Sequence, residues 1–401
     1  MSSWRVLLAA AIAAVATALP ARAVVSTGTP AALLVFPLIQ VDDASGTDSL
    51  IQLTNTDGTA VAVRCLYEDP SGDPAFTPFT IRLAANQPVA WRAGAGLEAV
   101  PGDGGTIPPL GAGAFTGALR CVAVNAEGIP AERNVLAGSA TIERASLTAV
   151  QLDSARYNAT DFDALPGALN GDEQLVLGGD AAEYAACPES LLLQSFFDGA
   201  VLDLGATGSV QRRVSTVLAL VTCAQSPGGA DGAVLSFTVI NELGQMLTTS
   251  RSIIEHEVVA LSNIDTSDPS RSIFSAQFQG TLTGTIGITS GSGILALAVQ
   301  RHADPTDATR FSSAAISPQL IGERTAPDVV DLVVPTPPPV ACLGDCDGDG
   351  SVAINELITG VGIALGSREL SACPAFDGDD SDSVAINELI TAVNNALTGC
   401  Q

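Results

Sequence analysis

The chain has 401 residues, enough for two or three domains with sizeable cores. Its 17 basic residues are all Arg and stand against 43 acidic ones, for a formal charge of -26 and a pI near 4.1. So acidic a surface repels nucleic acid and anionic membranes and suits divalent cations; aromatics make up only 4% of the chain, so stacking platforms for bases or sugars are not obvious.

Residues 1–23 read as an export signal. Arg5 supplies the positive start, Val6 to Leu19 is an Ala-rich apolar stretch too short to span a bilayer, and Ala21-Arg22-Ala23 offers a small-x-small cleavage site. No Cys follows that site, so a lipid anchor is not expected, and the mature chain is expected to begin at Val24. No later stretch is long and apolar enough for a membrane span. The expected location is therefore outside the cytoplasm: extracellular, on the cell surface or periplasmic.

From residue 31 to about 330 the texture is that of β-structure. ALLVFPLIQV, DSLIQLTN and AVAVRCLYED are short Val/Ile/Leu-rich runs separated by turn clusters such as DDASGT and TDGT. FTIRL, GALRCVAVN and GSATIERA continue the series, and PGDGGTIPPLGAG is a long loop. Residues 158–200 are less regular. A second series runs through STVLALVTCA, GAVLSFTVIN, RSIIEHEVVAL, SIFSAQF, GTLTGTIGIT and GILALAVQRH. No βαβ alternation occurs. The spacing predicts antiparallel sandwiches, one over residues 24–165 and a second, or a continuation of the first, over 166–334.

Eight cysteines suit an exported chain and fall into three groups: Cys65 and Cys121; Cys187 and Cys223; and Cys342, Cys346, Cys373 and Cys400. None has the C-x-x-C spacing of a zinc site. The even grouping predicts Cys65–Cys121 and Cys187–Cys223 bridges, with the last four pairing among themselves in one of three ways. Each bridge contributes about 2–4 kcal/mol. Trp91 lies between the first pair, as in an immunoglobulin-type core, where a Trp packs on an inter-sheet disulfide. At 26 residues past Cys65 it is farther along than that family has it, so only a sandwich is inferred from it.

VVPTPPPVA, at residues 333–341, sets a Pro-rich linker over 335–341, an extended semi-rigid spacer ahead of residues 342–401. The last segment repeats at an offset of 32: Asp345 to Glu356 reads DCDGDGSVAINE and Asp377 to Glu388 reads DGDDSDSVAINE. The first copy has the pattern of a twelve-residue calcium loop. Asp345, Asp347 and Asp349 stand at positions 1, 3 and 5, Gly350 at 6, Ser351 at 7 offering its carbonyl, and Glu356 at 12. Ca2+ is a hard cation that takes six to eight oxygens, and alternate residues of a tight turn point inward to supply them. Ile354 at position 10 is expected to anchor the loop on the core. The second copy places Asp377, Asp379, Ser381, Ser383 and Glu388 at the same positions. It has Ser at position 5 and Asp382 in place of Gly at 6, which makes it the poorer cage. A helix is expected after each loop, with Leu357, Ile358, Val361 and Leu365 on one face of the first and Leu389, Ile390, Val393 and Leu397 on one face of the second. Gly366 and Gly399 mark their ends.

Two loop–helix calcium repeats in about 60 residues behind a Pro-rich linker resemble the type I dockerin module. The resemblance covers residues 342–401 only. It implies calcium-dependent folding and docking onto a cohesin-like partner through positions 10 and 11, here Ile354-Asn355 and Ile386-Asn387. The chain departs from the family in having Glu356 and Glu388 where Asp is common, and in its four cysteines.

Catalytic signatures are sparse. His256 in EHEVVA begins like a zinc-protease motif, but position 260 is Ala; His302 stands alone. No nucleophile elbow or phosphate loop occurs. The leading reading is a secreted, non-enzymatic β-sandwich protein carrying a calcium-binding, dockerin-like module for interaction or surface attachment. The alternative is a secreted carbohydrate-active enzyme acting on polysaccharide and targeted by that module.

Overall fold

In the computed structural model the described residues are 25–69, 76–111, 113–145, 152–204, 210–225, 232–307, 310–332, 342–346, 351–377 and 383–398. The segments expected from sequence to be an export signal (1–23) and a linker (335–341) lie outside them. The chain divides into two compact units, Met1–Leu332 and Val333–Gln401. No described helix is long and apolar enough to cross a membrane.

The first unit is built from antiparallel sheets. Strands β1 (Ser26–Thr27), β2 (Leu33–Val41), β3 (Thr47–Asn55), β4 (Val61–Glu68), β5 (Phe76–Leu83), β6 (Pro88–Arg92), β7 (Phe115–Val124), β8 (Leu136–Ala145), β9 (Leu152–Asn158) and β10 (Thr160–Phe162) come first. They form a six-stranded sheet, β1-β10-β2-β7-β4-β5, and a four-stranded sheet, β6-β3-β8-β9. Then follow β11 (Gln174–Leu177), β12 (Ser190–Phe196), β13 (Val201–Leu204), β14 (Val210–Thr222), β15 (Gly232–Asn241), β16 (Met246–Ile254), β17 (His256–Ala260), the single-turn helix α1 (Ala276–Gln279), β18 (Thr283–Ser290), β19 (Ile294–Ala303), β20 (Phe311–Ile316), β21 (Gln319–Ile321) and β22 (Asp328–Asp331). They make sheets β16-β15-β18-β12-β21 and β13-β14-β19-β20, with β17 on β14 and β11 paired with β22.

Side-chain alternation shows how the sheets stack. Leu34 and Phe36 on β2 enter the core of the first sandwich, while Leu33 and Val35 enter a middle cluster with Leu175, Leu177 and Val330. On β14, Leu218 and Leu220 join the second sandwich, whereas Ala219 and Val221 point the other way and join the first two clusters. Strands β2 and β7, most of β19 and the second half of β14, from Leu218, are thus covered on both faces, and their near-continuous apolar runs follow from that. In the first half of β14, Gln211, Arg213, Ser215 and Val217 are exposed.

Both bridges expected in the β-region are present, Cys65–Cys121 and Cys187–Cys223. The first joins directly paired residues of neighbouring strands β4 and β7 within one sheet, unlike the inter-sheet bridge of an immunoglobulin core. Trp91 lies across the sandwich on β6. Its Nε1–H donates to the Tyr67 hydroxyl at 2.7 Å, and its ring meets Phe79 edge-on at 6.3 Å.

Two runs fold otherwise than expected. RSIIEHEVVAL breaks at Glu255, whose φ of 48° turns the chain from β16 into β17, in a different sheet. SIFSAQF forms no strand; it ends in α1, closed by Gly280 in the left-handed conformation.

Polar groups cross the seam between the sandwiches. Arg120 on β7 donates to Glu68 at 2.6 Å and to the carbonyls of Cys223 and Thr222 at 2.9 and 2.8 Å, with both charged side chains buried. The β2–β7 register shifts between Phe36 and Ile39, where Pro37 has no N–H for the ladder. The bulge turns the Pro37 carbonyl to His256 Nε2–H at 3.1 Å and the Leu38 carbonyl to the Tyr157 hydroxyl. Burial lowers His256 from 6.5 to about 4, so it folds as the neutral imidazole. Burial also pushes the Asp161 carboxyl up to about 7, although its Oδ2 accepts the N–H groups of Gly28 and Thr29.

Two predictions follow from the seam. Glu68→Gln leaves the Arg120 charge buried and uncompensated, so denaturant unfolding should show a loss of about 3–5 kcal/mol; Glu68→Leu combined with Arg120→Met should recover most of it. The second concerns pH. Between about 6.5 and 4 the unfolded chain protonates His256 and the folded chain does not, so this stabilisation is complete above 6.5 and fades towards 4, by about 3 kcal/mol in all. Asp161 acts in the opposite sense, its contribution being complete below its unfolded pKa near 4 and lost as pH rises through 7. Urea unfolding across pH 4–8 should therefore show His256→Asn flattening the acid loss and Asp161→Asn steepening it.

Candidate metal centre

Helix α2 (Ile354–Ala364) and helix α3 (Ile386–Thr398) each follow one copy of the repeat. The repeat extends to its hydrogen bonds. Asp345 N–H donates to Cys342 and Asp377 N–H to Pro374, at 2.8 and 3.1 Å. The Ala353 and Ala385 N–H groups donate to the Glu356 and Glu388 carboxylates, each at 2.7 Å. Thr359 and Thr391 hydroxyls donate to the carbonyls of Asn355 and Asn387. Every pair is 32 residues apart.

Glu356 and Glu388 stand in the first helical turn, where a carboxylate complements the helix dipole. Each is only 4% exposed. Glu356 also accepts the Cys346 N–H at 2.6 Å, so the last residue of the loop motif closes onto its second. A carboxylate offers about four lone-pair sites. An all-oxygen donor set with buried carboxylates fits a hard ion such as calcium. Asp345 and Asp377 are half-buried at the loop starts, and Ser351 and Ser383 are exposed. Asp347, Asp349, Gly350, Asp379, Ser381 and Asp382 lie outside the described residues.

Phe376 forms the centre of this unit's core, with Cys373, Ile363, Val384 and Ala392. Gly360 lies against it so closely that an added Cβ would stand 2.4 Å from the ring. Cys346 and Cys373 are bridged. Cys342 is disulfide-bonded as well, and Cys400 lies outside the described residues.

The helical stripes are turned to solvent. Ile354, Ile358, Val361 and Leu365 are 76, 61, 45 and 78% exposed, and Ile386, Ile390, Val393 and Leu397 are 76, 57, 42 and 79% exposed. Ile354 therefore does not anchor its loop on the core. Leu357 and Leu389, placed on those faces from sequence, pack against the core instead. Small residues at Gly360 and Ala392 let the helices close around Phe376, and this turns the bulkier stripe to solvent.

Elsewhere the chemistry is structural. His256 is buried in the seam, and His302 Nε2 meets Gln300 Oε1 at 3.1 Å. Among the described residues the one metal-like grouping is Cys187, Cys223 and Asp328, whose sulfurs form the disulfide. Of the depressions on the β-unit, one of about 390 Å³ holds two carboxylates, Asp180 and Glu323. Its aromatic, Tyr184, is fully buried and offers no stacking face.

No family model matches the chain, and none of the curated proteins is similar to it. Among solved structures, "Crystal structure of PBSX exported protein XepA" is 9% identical over 67% of this chain and 84% of that one, with a TM-score of 0.16, too low to carry an argument.

The Phe376 packing yields a paired prediction. Gly360→Ala should destabilise the helical unit despite alanine's better helix propensity, because the ring leaves no space for the methyl. Gly362→Ala, whose Cβ would meet the flexible Arg368 side chain at 3.1 Å, should be neutral or stabilise by up to about 1 kcal/mol. Calorimetric melting of the two variants, read on the transition of the C-terminal unit, tests the difference.

Proposed function

We propose that the protein is an exported, non-enzymatic β-sandwich protein whose C-terminal unit binds calcium and docks a protein partner. The observation that carries this reading is the duplicated apolar stripe, Ile354, Ile358, Val361 and Leu365 on one helix and Ile386, Ile390, Val393 and Leu397 on the other, turned to solvent on a unit with a buried core of its own. Exposed apolar side chains gathered on one face mark interaction sites more often than they occur by chance. The resemblance to type I dockerins supports a cohesin-like partner. The acidic loops beside the stripes favour a partner whose apolar contact surface is rimmed by basic residues.

Calcium would be held in the first loop by Asp345, Asp347, Asp349, the Ser351 carbonyl and Glu356. In the second it would be held by Asp377, Asp379, Ser381, the Ser383 carbonyl and Glu388. Its charge relieves the repulsion among these carboxylates and ties each loop to its helix. The alternative, a polysaccharide-degrading enzyme, rests on the resemblance alone; polysaccharide cleavage by the chain would establish it.

Titration calorimetry of the full chain with calcium should show two sites, the first loop binding tighter. Calcium at 100 times a site's dissociation constant should add about 2.7 kcal/mol of stability for that site. Glu356→Gln should remove more of this gain than Glu388→Gln. No heat and no melting shift at millimolar calcium would sink the calcium reading. For docking, Ile358→Asp combined with Ile390→Asp should weaken binding to a cohesin-type domain at least about tenfold, or 1.4 kcal/mol, while leaving the calcium-induced melting shift intact.

A further inference from the structure

A free sheet edge in the β-unit points to a second interaction surface, independent of the helical one. Among the described residues strand β16 pairs with β15 on one side only, in an unbroken register from Gly232↔Ile254 to Ile240↔Met246. The Asn241 N–H donates to the Gln245 carbonyl where the hairpin closes. In an antiparallel ladder the bonded pairs alternate. The odd-numbered residues of β16 therefore face β15, and Met246, Thr248, Ser250, Ser252 and Ile254 direct their N–H and C=O groups outward.

Several other edge strands carry features that hinder pairing with a second chain. β1 and β21 are two and three residues long. β5 and β6 contain Pro78 and Pro88, and β9 carries Asp153 and Arg156. β20 is tied to β9 by the Ser313 N–H to Asp153. Over its nine residues β16 has no proline, no bulge and no charge in its outward row. Its one charged residue, Arg251, lies in the other row and is held by Glu257 and by the carbonyls of Asn263 and Ile264. Met246 and Ile254, at the two ends, are 64 and 62% exposed.

The strand is complementary to itself. Reversed about Ser250, Met246 meets Ile254, Leu247 meets Ile253, Thr248 meets Ser252 and Thr249 meets Arg251, so apolar faces apolar and polar faces polar. The same register sets the outward-facing residues opposite one another as bonded pairs, for about ten N–H···O=C bonds. Two chains each carrying a charge of -26 repel, and an edge free of uncompensated charge is where they can approach. We propose that β16 is a self-pairing edge that joins two copies of this chain, antiparallel about a two-fold axis at Ser250, into one continuous sheet.

Sedimentation of the full-length chain at micromolar concentration should give twice the 40.5 kDa chain mass. Ser250→Pro removes an outward N–H at an edge that tolerates proline, and Ser250→Lys sets two like charges on the axis. Each should weaken the dimer at least about tenfold and leave monomer melting near that of the parent. Across the axis the two residue-250 Cα atoms stand about 5.5 Å apart, within disulfide reach. Ser250→Cys should therefore cross-link under oxidation, while Ser236→Cys on β15 should not. No described native cysteine is free to compete. A chain that stays monomeric, a dimer that persists in both the proline and lysine variants, or a Ser250→Cys dimer that fails to cross-link would each overturn the proposal.

Discussion

Arg120 is the residue through which the two sandwiches are held in register. Its guanidinium spends one arm on Glu68 within its own sheet and the other two on the carbonyls of Thr222 and Cys223 at the end of β14. Burying such a pair is costly, and its attraction roughly offsets the desolvation. What the arrangement contributes is geometry, because three donors in a fixed plane accept only one placement of β14 on β7. The Cys187–Cys223 bridge lies in the same cluster, and the His256 bond to the Pro37 bulge adds a further polar tie. The seam is thus apolar over most of its area and pinned at a few polar points, each satisfied only when both sandwiches are folded and docked.

The helical unit is organised on a smaller scale by one aromatic ring. Phe376 takes the space that a larger core would fill with many side chains, and the glycine and alanine facing it let two short helices close around it. A unit of this size buries little apolar surface. The Cys346–Cys373 bridge and the bonded carboxylates at the helix starts offset that shortage. The same economy leaves the larger apolar residues of both helices outside, so a weakly filled core and an exposed apolar face have one cause.

Several features were legible from residues alone because they depend on local pattern. Alternation and turn chemistry marked most long strands. Grouping of cysteines indicated the two bridges of the β-region. The offset of 32 marked the paired loop–helix units, whose equivalent bonds recur at Ala353 and Ala385. Short strands such as β6, β9, β20 and β22 gave little periodic signal, being polar or only a few residues long. The break at Glu255 was hidden inside an apolar run, because an isolated left-handed residue leaves no trace in hydrophobic periodicity.

By itself, then, the sequence determined a β-rich chain of antiparallel strands followed by a duplicated acidic loop–helix segment. Helical periodicity shows that Ile354, Ile358, Val361 and Leu365 share a face, but not whether anything covers it. That depends on Phe376 and Gly360, which approach each other only in three dimensions. Nor does a strand's own pattern say whether it lies at an edge, as β16 does, or is covered on both faces, as β2 is. The tertiary structure decided these points, because exposure belongs to what packs against a residue and not to the residue itself.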